Sequence, residues 1–141
     1  MEKLSVIVPC FNEQETLQDY YDAISKVRET LLGKECELQV ILVDDGSKDG
    51  TLAKMKELSG QCSWIRYISF TRNFGKEAAI YAGLTHAEGE YVSLMDVDLQ
   101  DPPSLLPEMF EWIWQGYDSV ATRRVTRKGE PPIRSFFARR F

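Results

Sequence analysis

Five short apolar runs, at residues 4–8, 38–43, 65–70, 91–95 and 119–122, constrain this chain more than any other feature. Their apolar character is continuous rather than alternating, most clearly in SVIV and VILV, which predicts strands covered on both faces. The intervening segments carry helical periodicity instead. In residues 16–32, Leu17, Tyr20, Ile24, Val27 and Leu31 recur at three- and four-residue spacing. Asn12 followed by Glu15 resembles a capping box, and Gly33 supplies a stop. Further helices are expected at 51–59, at 77–87 with Gly89 after it, and at about 105–115, between Pro102-Pro103 and Gly116.

Strict alternation of strand and helix, without a long linker or repeat, predicts an α/β fold: a mainly parallel sheet with helices on both faces. Ligands of such sheets bind at the carboxyl ends of the strands. The polar clusters stand at those ends: PCFNE after the first run, DDGS after the second, TRNFGKE after the third and DVDLQD after the fourth.

Composition narrows the class. With 141 residues, 43% of them hydrophobic, and a net charge of −5, the chain suits one folded domain rather than a disordered segment. From Arg123 onward seven basic residues face Glu130 alone, a net of +6, which leaves −11 for the rest. An acidic body argues against nucleic-acid binding, while the basic end suits an anionic ligand, a membrane surface or a solvated terminus. Cys10, Cys36 and Cys62 are odd in number and lack a CxxC pattern, so reduced thiols are expected. No stretch approaches the roughly 18 apolar residues of a membrane span, and a soluble chain is expected. The ending, IRSFFARRF, reads as the start of an element and suggests a fragment of a longer protein.

Asp96-Val97-Asp98 holds the most informative chemistry. Two carboxylates two positions apart on an extended segment share one side and offer hard oxygens to Mg²⁺ or Mn²⁺, with Gln100 able to add a carbonyl. Such an ion keeps positions open for substrate phosphates. By itself an Asp-x-Asp triplet is more often turn chemistry. In Asp44-Asp45-Gly46-Ser47 one carboxylate can accept a hydrogen bond from a base and Gly46 lets a ligand approach closely, although DDGS alone reads more readily as a turn leading to a helix cap at Ser47 or Asp49. GxGxxG is absent, and Gly75-Lys76 lacks the rest of a P-loop. Lys76, Arg72 and Arg123 are cations near strand ends, suited to phosphate charge, with Arg123 preferred. His86 is expected to be structural, and Tyr20, Tyr21, Trp112 and Trp114 to pack as helix faces.

Taken together, LSVIVPCFNEQETL, VILVDDGSKDGT, SFTRNFGKEAA and YVSLMDVDLQDPP resemble the inverting family 2 glycosyltransferases of GT-A fold, especially the polyprenyl-phosphate enzymes related to dolichol-phosphate mannose synthase. The resemblance runs from Leu4 to about Arg124. It implies a nucleotide-sugar-binding GT-A core at 1–124 and a basic tail at 125–141 that begins an acceptor or membrane-proximal portion. It also implies that Pro9, Phe11 and Glu13 line the nucleoside pocket and that Val43 and Asp45 hold the base. Asp96, Val97, Asp98 and Gln100 would surround the diphosphate and a Mg²⁺ or Mn²⁺ ion liganded by Asp96, Asp98 and Gln100. Asp98 and Arg123 are the catalytic candidates. Phe11 stands where many members have tyrosine, which keeps a stacking surface and loses a hydroxyl.

The activity implied is metal-dependent, inverting transfer from a nucleoside diphosphate sugar, UDP preferred to GDP, to a polyprenyl phosphate. The full-length protein is expected at the cytoplasmic face of a membrane, with room for a homo-oligomer. Two alternatives stand beside this: a cell-wall or polysaccharide glycosyltransferase of the same fold with a sugar acceptor, and a non-catalytic nucleotide-binding module.

Overall fold

The computed structural model describes residues 1–100, 102–123 and 134–139, those from 121 onward by backbone only. Its strands are β1 (Glu2–Cys10), β2 (Cys36–Asp44), β3 (Ile65–Ser69), β4 (Tyr91–Leu94), β5 (Ser119–Arg123) and β6 (Arg134–Arg139). Its helices are α1 (Leu17–Gly33), α2 (Thr51–Gln61), α3 (Lys76–His86) and α4 (Leu106–Trp114), the last preceded by a 3-10 turn at Pro103–Leu105. The five expected strands and four expected helices are all present.

The sheet order is β3-β2-β1-β4-β6-β5. β1 to β4 are mutually parallel, while β6 runs antiparallel to both β4 and β5. β6 lies within the stretch set apart from sequence as a basic tail, yet it inserts between β4 and β5. The remainder of that stretch, 124–133 and 140–141, lies outside the described residues.

Strand alternation divides the core in two. Leu4, Val6, Val8 and Cys10 of β1, with Leu38, Val40 and Leu42 of β2, face α1, α2 and α4 through Ile24, Leu31, Met55, Leu58, Phe110 and Ile113. Ile7, Ile41 and Val43 face the other way and pack on Ala79 of α3. Right-handed crossovers explain this division. The connections β1→β2→β3 step outward in one direction and leave their helices on one face, whereas the connection back to β4 crosses the sheet in reverse and lays α3 on the opposite face. The reversal falls between β1 and β4, where such folds open a crevice beyond the strand ends. A small residue is needed where α3 crosses β1, because a Cβ at Gly83 would meet Ile7 Cγ2 at 2.4 Å.

Ile24 is 1% exposed at the centre of the larger cluster. Ile24→Ala is expected to cost about 2–5 kcal/mol in urea denaturation, from lost burial plus the cavity left behind.

Three local expectations change. Asn12 and Glu15 form no capping box: Thr16 precedes α1 without a side-chain cap, and Asn12, at φ 54°, belongs to the loop. Gly33 is the last helical residue, and the left-handed turn beyond it falls on Glu35 at φ 59°. Of the four helix-face aromatics, Tyr20 is buried and Tyr21 stacks on Trp64, but Trp112 and Trp114 are 44% and 68% exposed. His86 is exposed, its Nδ1 lying 2.9 Å from the Ala82 carbonyl one turn back.

Candidate donor-binding site

The sequence clusters meet at the crevice between β1 and β4. Pro9, Cys10, Phe11, Glu13, Asp45, Lys76 and Asp96 line a cavity of about 190 Å³. A neighbouring cavity of about 470 Å³ shares Phe11 and adds Gly46, Ser47, Phe70, Arg72 and Asn73 among its walls. Phe11, 44% exposed, stands between the two with an open ring surface.

Hydrogen bonds interlock the loops after β1 and β2. The Asn12 amide donates to Ser47 Oγ at 2.9 Å, and the Lys48 amide donates to Asn12 Oδ1 at 2.9 Å. The Glu13 amide donates to Thr51 Oγ1 and the Gly50 amide to Gln14 Oε1, both at 2.9 Å. Ser47 therefore buttresses the neighbouring loop instead of capping α2. Asp49 accepts from the Thr51 amide at 2.9 Å and from the Gln14 amide at 3.4 Å, while Gly50 occupies the cap position. The DDGS motif alone gave no signal of this pairing, because the partners lie 35 to 38 residues away.

The two aspartates of that motif have separate tasks. Asp44, 1% exposed, accepts from the Ser47 amide at 2.9 Å and from Ser69 Oγ at 3.3 Å, which ties β2 to its own turn and to β3. Asp45 reaches across to the loop before α3, where the Phe74 and Gly75 amides donate to Oδ1 at 2.8 and 3.3 Å. The expected base-holding carboxylate thus anchors a third loop as well as lining the cavity. Val43 is fully buried against the α3 side of the sheet, so only its backbone faces the strand-end region.

Asp96 and Asp98 lie past the end of β4 rather than on it. β4 stops at Leu94, and the chain turns through Val97–Asp98 with Leu99 at φ 62°. Strand alternation therefore does not orient these carboxylates. Instead, Val97, 2% exposed, is held in the large core cluster and fixes the turn, leaving Asp96 half-buried and Asp98 exposed. Asp98 Oδ1 accepts from the Gln100 amide at 3.2 Å. Asp96 Oδ1 accepts from Lys76 Nζ at 2.8 Å.

Lys76 is thus the cation brought to the acidic cavity. Arg72 lines the neighbouring cavity instead, its guanidinium 4.1 Å from the Phe74 ring centroid. Arg123 ends β5 and its side chain is outside the described residues, but its backbone level is defined: Leu94 and Ala121 both pair with Phe136 of β6. Asp96 and Arg123 follow those residues by two positions at the same end of the sheet, one strand apart. Cys10, also in the cavity wall, is no nucleophile: burial, then the charges of Glu13, Asp44 and Asp96, push its thiol far above the usual range, so it stays neutral.

The oxygen set suits a hard divalent cation. Asp96 already attracts an ammonium group, and Asp98, two residues on in the same turn and outside the cavity lining, presents an exposed carboxylate. No cluster of three or more acidic, His or Cys side chains that would hold a metal occurs among the described residues. Two carboxylates with the remaining positions left to water and phosphate is the ordinary arrangement for Mg²⁺ and Mn²⁺ on diphosphates.

The profile of glycosyl transferase family 2 matches residues 5–136, nearly the whole chain. The chain belongs to this family. Among curated relatives of this family 2 chain, the putative glycosyltransferase CsbB of Bacillus subtilis is 40% identical over 135 residues, 96% of this chain and 40% of that protein. A bactoprenol glucosyl transferase of Shigella phage SfV is 40% identical over 125 residues, 89% of this chain and 40% of that protein. The chain thus spans about 40% of the length of these relatives.

Among solved structures, the mannosyltransferase PcManGT from Pyrobaculum calidifontis, in complex with GDP-Man and Mn²⁺, superposes with a TM-score of 0.71 at 26% identity, over 89% of this chain and 36% of that one. S. aureus TarS 1-349, in complex with UDP, gives 0.70 at 22% identity over 92% of this chain and 37% of that one, a likeness of fold. The family 2 chain has the GT-A fold expected from its sequence. Among its described residues no helix is long and apolar enough to cross a membrane.

Proposed function

We propose that this chain is the donor-binding part of an inverting, metal-dependent glycosyltransferase that transfers a hexose from a nucleoside diphosphate to a polyprenyl phosphate. The observation that carries the proposal is the convergence of Phe11, Glu13, Asp45, Lys76 and Asp96 on one crevice at the β1–β4 reversal. The acceptor class rests on relatives named bactoprenol glucosyl transferases, which also make glucose the sugar to test first. In this proposal the donor half extends beyond residue 124 to include β6, which lies between β4 and β5 of the same sheet.

In this scheme the nucleoside stacks on Phe11 between the two cavities, with Pro9 and Glu13 as further walls. Asp45 fixes the loop that delivers Lys76, and its free lone pairs meet the base edge. Asp96 and Asp98, with the Gln100 side-chain carbonyl, would hold Mg²⁺ or Mn²⁺, which when bound neutralises the charge of the departing diphosphate. An acceptor phosphate oxygen attacks the anomeric carbon opposite the leaving group, and the bond from that carbon to the diphosphate oxygen breaks. A phosphate acceptor is already anionic near neutral pH and needs no general base. Arg123 and Lys76 supply positive charge to the leaving diphosphate.

The decisive measurement uses the full-length protein in membranes with radiolabelled UDP-glucose, Mn²⁺ and undecaprenyl phosphate. Label is expected in the organic phase as a lipid-linked sugar, with none when EDTA replaces Mn²⁺. Transfer to a soluble sugar while the lipid stays unlabelled would disprove the acceptor.

A further inference from the structure

We infer that Lys76 is a resident counter-ion of the donor site: it competes with the divalent metal for Asp96 and, once displaced, pairs with the donor diphosphate. The inference rests on the function proposed above and adds a coupling between metal and donor that the carboxylates alone do not provide.

Among the described residues, the cavity wall contains three carboxylates and one cation. Glu13 is engaged by Thr16, whose Oγ1 donates to Oε2 at 2.8 Å. Asp45 is engaged by the Phe74 and Gly75 amides. Asp96 is left for Lys76, whose Nζ donates to Oδ1 at 2.8 Å.

The placement of Lys76 follows from the loop before it. Asp45 grips that loop at Phe74 and Gly75, and Gly75 takes φ 102°, a conformation that L side chains rarely adopt. The chain therefore turns sharply and opens α3 at Lys76, beside the end of β4.

The contact is suited to exchange. Lys76 is well exposed, 61%, and the half-buried Asp96 side chain still reaches solvent at 41%, so the pair is screened and weak, and a structural role in stability is small. An ammonium hydrogen-bonded to Oδ1 nevertheless occupies a lone pair that a metal ion requires, and like charge opposes both cations at one carboxylate. Metal binding at Asp96 therefore releases Lys76. Its three N–H donors remain tethered at the cavity wall, where an incoming diphosphate restores the lost charge partner.

Linkage follows from this exchange. Without nucleotide, Lys76 lowers metal affinity; with nucleotide it raises donor affinity, so metal and donor favour each other's binding.

The test is a calorimetric titration of MnCl₂, and of UDP at saturating Mn²⁺, into the wild-type protein and into Lys76→Met. Lys76→Met should bind Mn²⁺ alone about 2- to 5-fold more tightly, the effect of removing one exposed ion pair. It should bind UDP about tenfold more weakly once Mn²⁺ is present. Lys76→Gln should match it, and Lys76→Arg should return both values towards wild type. Mn²⁺ affinity unchanged or weakened in Lys76→Met, or UDP affinity unchanged, would overturn the inference while leaving the donor site standing. Wild-type protein that bound neither Mn²⁺ nor UDP or GDP would instead remove the functional proposal beneath it.

Discussion

Asp98→Asn is expected to abolish Mn²⁺-dependent binding of UDP-sugar, a fall of about 100-fold or more, while thermal unfolding without ligand shifts by no more than about 0.5 kcal/mol. The asymmetry comes from position. Asp98 is exposed beyond the end of β4 and its hydrogen bond is to the nearby Gln100 amide, which an Asn side-chain oxygen also accepts. What the substitution removes is a charge that the proposed metal site needs. A thermal-shift titration with Mn²⁺ and UDP-sugar together separates the two effects. Undiminished stabilisation by the pair of ligands in Asp98→Asn would exclude this carboxylate from the metal site.

Gly46→Ala is expected to damage fold and site together. Gly46 sits at φ +72°, and a Cβ there would lie 2.2 Å from the Arg72 carbonyl carbon and 2.4 Å from the Asn73 nitrogen. Both are backbone atoms, so no side chain can swing aside. Backbone strain of about 1–2 kcal/mol for a non-glycine residue adds to displacement of the 72–75 loop, for roughly 3 kcal/mol or more in all. A chain of this length should lose on the order of 10 °C in melting temperature. That same loop delivers Lys76, so UDP binding should fall beyond what stability alone explains. A melting temperature within about 2 °C of wild type would show that the two loops do not meet as described.

The fold was legible where burial on both faces writes a continuous apolar run, as in SVIV of β1 and VILV of β2. β6 was harder to see. RSFFAR is flanked by arginines and was set among basic tail residues, and its place between β4 and β5 depends on pairing that no local pattern encodes. The strand-end clusters pointed to the site because parallel α/β sheets bind ligands at the carboxyl ends of their strands, whereas the reversal between β1 and β4 is seen only in the strand order. Individual side chains were less legible. Val43 stands next to the informative Asp44-Asp45 pair, yet strand alternation turns it into the core beneath α3. Asn12 and Glu15 have the spacing of a capping box, but the positive φ at Asn12 commits that residue to the neighbouring loop. Lys76 was one of three candidate cations in sequence and ranked behind Arg123; the Asp45 grip on Gly75 is what carries it to Asp96.

The interlock between the first two loops also bears on how this pocket can diverge. Asn12 and Gln14 share partners with Ser47, Lys48, Asp49 and Gly50, and any side chain at residue 50 would run into Gln14 at 2.8 Å. Neither loop can drift alone: Asn12 and Gln14 accept from the Lys48 and Gly50 backbone amides while Ser47 and Asp49 accept from the Asn12 and Gln14 backbone amides, so a replacement at 12, 14, 47 or 49 loosens both loops at once. Variation that keeps this pocket's shape should therefore fall mainly outside these positions, and in the 72–76 loop it should spare Gly75, whose φ of 102° disfavours a side chain, and Lys76, which pairs with Asp96.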